Sequence, residues 1–188
     1  MRYRWFVVLP LLGALTFSAA SAGPAQTVIE SKTSQRERDV IFVPTREPVA
    51  SAMMKLANVT KNDVVYDLGC GDGALVIAAA TLGARVVGVD IDPERIKEAT
   101  AKVRAAGVQD RVTLVRGDIF DPAIKIGEAT VVTLYLLQHL NEKLAPRLKA
   151  ELKRGTRVVS HAFSMGTSWP PEKTEQVDYA DIYLWTIP

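Results

Sequence analysis

The chain has 188 residues, a length that suits one domain with a full core. Apolar residues make up 48% and charged residues 23%, which excludes a wholly disordered chain. The 23 Lys and Arg against 21 Asp and Glu leave an excess that Arg2 and Arg4 supply, so the rest is neutral and offers no basic field for nucleic acid.

Arg2 and Arg4 precede an apolar run from Trp5 to Phe17, and Ala20-Ser21-Ala22 has the form of an export cleavage site. Residues 1–22 are therefore expected to be a signal peptide or a membrane anchor. The expected location is exported or periplasmic, or membrane-anchored through this segment. Residues 23–39 are polar and read as a linker, which leaves 40–188 as the folded domain.

Thr45 to Ala57 predicts a helix with Met53, Met54 and Leu56 toward the core. Val64-Val65-Tyr66 predicts a buried strand ending in Asp67. Ala74 to Leu82 predicts a helix stopped by Gly83. Arg85 to Val89 predicts a second strand, ending in Asp90. Asp92 is a natural N-cap and Pro93 fits the first turn of a helix that runs to Ala106 and stops at Gly107. Further strands are expected over Arg111–Arg116, Thr130–Leu137, Arg157–Ser160 and Ile182–Ile187, with a helix over Asn141–Leu152. Strands that are apolar throughout need both faces covered. The alternation therefore predicts an α/β fold: a doubly wound, mostly parallel, Rossmann-like sheet with helices on both faces. The single Cys70 cannot form an internal disulfide, and one Cys with two His argues against a zinc site; no metal is expected.

Ligands of such sheets bind beyond the carboxyl ends of the strands. Four features fall there. Asp67-Leu68-Gly69-Cys70-Gly71-Asp72-Gly73 joins a strand to a helix, and its alternate glycines admit a ligand without Cβ atoms in the way. Asp90 ends the next strand, where a carboxylate can accept both hydroxyls of a ribose, with Ile91 beside it. Gly117-Asp118-Ile119 follows the third strand; the acid suits an exocyclic amine, and the two isoleucines suit the faces of a ring. Tyr135 and Gln138 are the polar candidates at the reacting end of the fourth strand, and His139 and His161 are candidate bases.

Together, Asp67-x-Gly69-x-Gly71-x-Gly73, Asp90 and Gly117-Asp118 resemble the class I S-adenosylmethionine-dependent methyltransferases over residues 40–188. The resemblance implies that Asp67, Gly69, Gly71 and Gly73 cradle the methionine part of the cofactor. Asp90 would hold the ribose, and Asp118 with Ile119 the adenine, Ile91 supplying a further apolar face for the ring. Phe42-Val43-Pro44-Thr45 and Val131-Val132-Thr133-Leu134-Tyr135-Leu136-Leu137 are similar to small bacterial methyltransferases. These are in turn similar to membrane-anchored mitochondrial protein-lysine methyltransferases. That similarity places Pro44 and Thr45 near the cofactor and makes a protein lysine the candidate acceptor; the neutral charge balance argues against a nucleic-acid partner. Relatives often carry proline where this chain has Gln138.

Two other readings compete. Gly69-Cys70-Gly71-Asp72-Gly73-Ala74 formally satisfies the dinucleotide pattern of an NAD(P)-dependent oxidoreductase. The fold also serves non-catalytic cofactor-binding modules, and an exported protein would fit one at the membrane or envelope.

Overall fold

A computed structural model describes residues 27–30 and 43–188. In chain order the elements are β1 (Thr27–Glu30), α1 (Glu47–Leu56), β2 (Val64–Leu68), α2 (Ala74–Thr81), β3 (Arg85–Asp90), α3 (Pro93–Ala105) and β4 (Val112–Arg116). They continue with β5 (Val131–Leu134), α4 (Gln138–Glu151), β6 (Arg157–His161), β7 (Lys173–Val177) and β8 (Ala180–Thr186).

The strands form one sheet in the order β1-β4-β3-β2-β5-β6-β8-β7. Pairing is parallel from β1 to β6; β8 is antiparallel to both β6 and β7. The α/β expectation holds. The strand order reverses between β2 and β5, which is the switch point where such folds bind ligands.

Alternate strand residues feed two cores. Val65, Val86, Val131 and Val159 face α1, α2 and α3, while Tyr66, Val132 and Val158 face α4 and Trp185. Trp185 is fully buried, and its indole N–H donates to the Trp169 carbonyl at 2.9 Å, so the ring enters the core without an orphaned donor. α2 is apolar on every face because α1, α3 and the sheet surround it. α3 begins as expected: the Asp92 carboxylate accepts the Glu94 N–H at 2.9 Å, and Pro93 sits in the first turn.

Some boundaries differ from the sequence reading. β5 stops at Leu134 rather than Leu137, because its partner β2 ends opposite it at Leu68 and turns away at Gly69. Tyr135–Leu137 thus leave the sheet, and α4 starts at Gln138 instead of Asn141. β1 lies within the stretch read as a linker and pairs with β4, all four of its residues exposed. β7 is polar and half exposed, and it is held as an edge strand by its hairpin with β8.

The expected location requires correction. Among the described residues no helix is long and apolar enough to cross a membrane, and residues 1–22, on which that expectation rested, lie outside them. Phe42 lies outside them as well.

Candidate functional site

A cavity opens beyond the carboxyl ends of β2, β3, β4 and β5. Thr45, Asp67, Gly69, Gly71, Asp90, Ile91, Asp118, Ile119 and Tyr135 all line it. Pro44, Gly73 and Gln138 do not.

The glycine loop takes its shape from three positive φ angles: 88° at Gly69, 52° at Gly71 and 85° at Gly73. A Cβ at Gly69 would stand 2.8 Å from Leu136 Cδ2, so the floor of the cavity is bare backbone. The N–H groups of Gly69 and Cys70 both donate to the Val89 carbonyl, at 2.8 and 2.9 Å, which folds the loop across the end of β3. Gly73 faces away from the cavity; a Cβ there would meet Ala99 Cβ at 3.2 Å, so its role is to let α2 pack against α3.

Asp90 ties this loop to its neighbours. One carboxylate oxygen accepts the Gly71 N–H at 2.8 Å and the other accepts the Asp92 N–H at 2.9 Å. Its main-chain carbonyl accepts the Gly117 N–H at 2.9 Å, which brings in the loop after β4. In that loop Asp118 accepts the Phe120 N–H at 2.9 Å. Thr133 on β5 donates its hydroxyl to Asp67 at 2.6 Å.

Asp67 and Asp90 are costly to ionise where they stand. Burial pushes Asp67 up to about 7; the Thr133 hydroxyl opposes this, and Asp90 and Asp72 add repulsion. Burial also raises Asp90, with the N–H groups of Asp92 and Gly71 opposing it. Asp72 forms an ion pair with Lys102. Cys70 is buried, and its thiol is raised by burial and then by Asp90 and Asp67, so it stays neutral and unreactive.

The opposite end of the cavity is aromatic. The Tyr135 ring lies 3.8 Å from His161, tilted by 35°, and 6.4 Å from Phe163 at 26°. Thr45 Oγ1 stands 3.4 Å from His161 Nδ1, which fixes the imidazole from the other side. Burial lowers the His161 pKa, so the ring is neutral near pH 7. The other candidate base, His139, is exposed on α4. Gln138 is also exposed and donates to Glu142 at 2.9 Å.

The sequence reading did not single out Phe120, Phe163 or Arg95 in the lining, nor Arg147 behind it. The Arg147 guanidinium donates to the carbonyls of Ile119 and Ile124 and to Glu151, and so braces the loop that carries Asp118. Its sequence signal is an arginine on the mostly apolar side of α4, which also carries Asn141.

The ANTKMT methyltransferase domain matches residues 67–173. A protein-lysine N-methyltransferase of Saccharolobus islandicus is 45% identical over 154 residues, covering 79% of this chain and 94% of that protein. The crystal structure of an RNA methyltransferase from Salinibacter ruber in complex with S-adenosyl-L-homocysteine is 51% identical with a TM-score of 0.74, covering 78% of this chain and 94% of the other. A precorrin 8W decarboxylase from Methanobacterium thermoautotrophicum, 23% identical with a TM-score of 0.62 over 78% of this chain and 92% of that one, is alike in fold alone.

Proposed function

The chain belongs to the ANTKMT methyltransferase domain family and is an S-adenosylmethionine-dependent methyltransferase, and we propose that its acceptor is the side-chain amine of a protein lysine. Membership sets aside both the NAD(P)-dependent oxidoreductase and the non-catalytic module.

The cavity suits the cofactor. Bare backbone at Gly69 and Gly71 leaves room for the methionine part, and Asp67 and Asp90 favour its cationic ammonium. The Asp90 carboxylate keeps accepting capacity beyond its bonds to the Gly71 and Asp92 N–H groups, which suits a ribose hydroxyl. Asp118 would take the exocyclic amine of adenine, with Ile91 and Ile119 against the ring faces. When bound, S-adenosylmethionine supplies a methyl group already activated on a sulfonium.

What remains for the protein is alignment of donor and acceptor. The observation that carries the lysine reading is the aromatic end of the cavity. Tyr135 and Phe163 line it with Thr45. Aromatic faces attract an incoming ammonium. Enclosure by apolar groups then lowers its pKa and favours the neutral amine, the form that can attack carbon. The neighbouring His161 is neutral and does not repel the ammonium. The name of the 45%-identical Saccharolobus relative agrees with this reading.

A second reading, an RNA acceptor, has the description of the Salinibacter protein in its favour. The neutral charge balance of residues 23–188 speaks against it. One experiment separates the two. The full chain is incubated with S-adenosylmethionine labelled in its methyl group and a cell extract. Protease-sensitive label that co-migrates with methylated lysine after hydrolysis is the expected result; ribonuclease-sensitive label would replace lysine with RNA.

A further inference from the structure

We infer that Asn141, acting with Ser160, is a positioning residue that sets the aromatic wall on the acceptor side of the cavity. The inference rests on the reading of Tyr135 and Phe163 as that side. His161 closes β6, and the chain then makes a tight reversal: the Phe163 N–H donates back to the His161 carbonyl at 2.8 Å. Ala162, between them, takes a φ of 63°, a left-handed conformation that a residue with a Cβ rarely adopts. Such a turn persists only where the surroundings impose it. Its effect is to bring the rings on either side of it, His161 and Phe163, against the same Tyr135.

Three polar anchors impose the turn. The Ala162 N–H donates to the Asp181 carbonyl at 2.8 Å. The Ser160 hydroxyl donates to the Phe163 carbonyl at 2.7 Å. Asn141 Nδ2 reaches Ser160 Oγ at 3.1 Å, the Phe163 carbonyl at 3.0 Å and the Ser164 carbonyl at 3.5 Å. Both side chains are fully buried. A buried amide in the second turn of α4 is a poor choice for packing alone, since asparagine is a weak helix former and its amide loses water. Among the described residues its Oδ1 has no hydrogen-bond partner, a penalty that a leucine at the same position would not carry. The amide is kept for its donor side. Three oxygens converge on Nδ2, and only a donor can hold them together. The helix that starts just after the cavity-lining Leu136 and Leu137 thereby fixes the Phe163 segment across from it. Asn141 and Ser160 do not line the cavity and hold none of the cofactor-side carboxylates, so their effect should fall on the acceptor and not on the cofactor.

The test uses the untagged full chain carrying Asn141→Asp, which sets a carboxylate oxygen against the same three oxygens, or Ser160→Ala, which removes the hydroxyl alone. Should the first variant fold poorly, the second carries the test. The chain has two histidines, so proton NMR follows His161 directly once His139→Gln has assigned it. In the unmodified protein the His161 ring protons should be shifted upfield by Tyr135 and titrate below the ordinary value of 6.5. In the variants both features should relax toward those of a free histidine. With poly-L-lysine as acceptor, KM should rise about tenfold, whereas the Kd for S-adenosylhomocysteine stays within about twofold. Unchanged His161 signals in a folded variant would overturn the inference. So would a loss of S-adenosylhomocysteine affinity that matches the loss of transfer. If the unmodified chain fails to methylate poly-L-lysine or any protein, the lysine reading falls, while the NMR result still decides the role of Asn141.

Discussion

Substituting Asp90 by asparagine tests the proposed ribose site with the least disturbance. The carboxylate holds the Gly71 and Asp92 N–H groups at 2.8 and 2.9 Å while facing the cavity. The amide that replaces it would keep one accepting oxygen and turn an NH2 toward partners that are all donors. One charge-assisted hydrogen bond to a ribose hydroxyl is therefore lost, worth about 1.5–3 kcal/mol, or roughly a 10- to 150-fold weaker Kd. The fold should tolerate the change. One backbone N–H loses its acceptor, at about 1–2 kcal/mol, but a carboxyl whose ionisation burial disfavours becomes neutral, which offsets part of that. Alanine is a poorer probe, because it orphans both N–H groups and loosens the glycine loop itself. Calorimetric titration with S-adenosylhomocysteine measures the affinity, and a thermal melt of the free protein shows that the variant is folded. A folded Asp90→Asn protein that binds within about twofold of the original would refute the ribose assignment.

Asp67 sets a pH dependence. Burial raises it from 3.8 to about 7. Between those values the folded, cofactor-free chain keeps a proton that the unfolded chain has released, so stability should fall as pH rises from about 4 to 7. Asp67→Asn should flatten that slope and raise stability at pH 8 by up to about 4 kcal/mol; melts at pH 5 and pH 8 check both. Arg147→Met removes the brace on the Ile119 and Ile124 carbonyls, and should weaken S-adenosylhomocysteine binding about 5- to 20-fold and stability by about 1–3 kcal/mol. Calorimetry and denaturant unfolding measure the two, and an unaltered affinity would make the brace purely structural. Gly69→Ala would place a Cβ 2.8 Å from Leu136 Cδ2 at a φ of 88°, so unfolding by denaturant should show a loss of about 1–3 kcal/mol.

The parts of the fold that were legible in sequence are those where local chemistry and tertiary packing agree. Asp92-Pro93 announces the start of α3 because the cap and the fixed proline φ act within one turn. Val64–Tyr66 and Val131–Val132 announce central strands because both faces are covered and every position is apolar. β1 and β7 were invisible for the converse reason. Edge strands with polar or exposed residues owe their conformation to a partner far along the chain, as Thr27–Glu30 does to Thr113–Arg116. The glycines and acids that line the cavity were legible because they form a short local pattern at strand ends. The aromatic end was not: Phe163 reaches Tyr135 through a turn at an ordinary alanine, and Asn141 acts across 22 residues of sequence on the Phe163 carbonyl. Gln138, the polar residue nearest the strand end, was a reasonable candidate while β5 was read as running to Leu137. With the strand ending at Leu134, α4 begins one turn earlier and turns Gln138 out toward Glu142.

The site is laced together before any ligand arrives. Thr133 on β5 holds Asp67 on β2. Gly71, just past β2, is held by Asp90 on β3. The carbonyl of that same Asp90 holds Gly117 after β4. Four strand ends are thus joined by three bonds, and each bond uses a residue that also lines the cavity or adjoins one that does. A cofactor entering such a frame need not order its loops, so little of its binding free energy is lost to that ordering. The same frame makes the cofactor-side residues depend on one another. Removing Asp90 alters Gly71, which belongs to the loop that Asp67 begins, and the ionisation of Asp67 in turn depends on Asp90. Substitutions at Asp67 and Asp90 should therefore be strongly non-additive. The acceptor wall hangs instead from Asn141 and Ser160 and shares none of these three bonds. That separation is what would let one cofactor frame serve different acceptors, with the change confined to the turn at Ala162 and the residues that hold it.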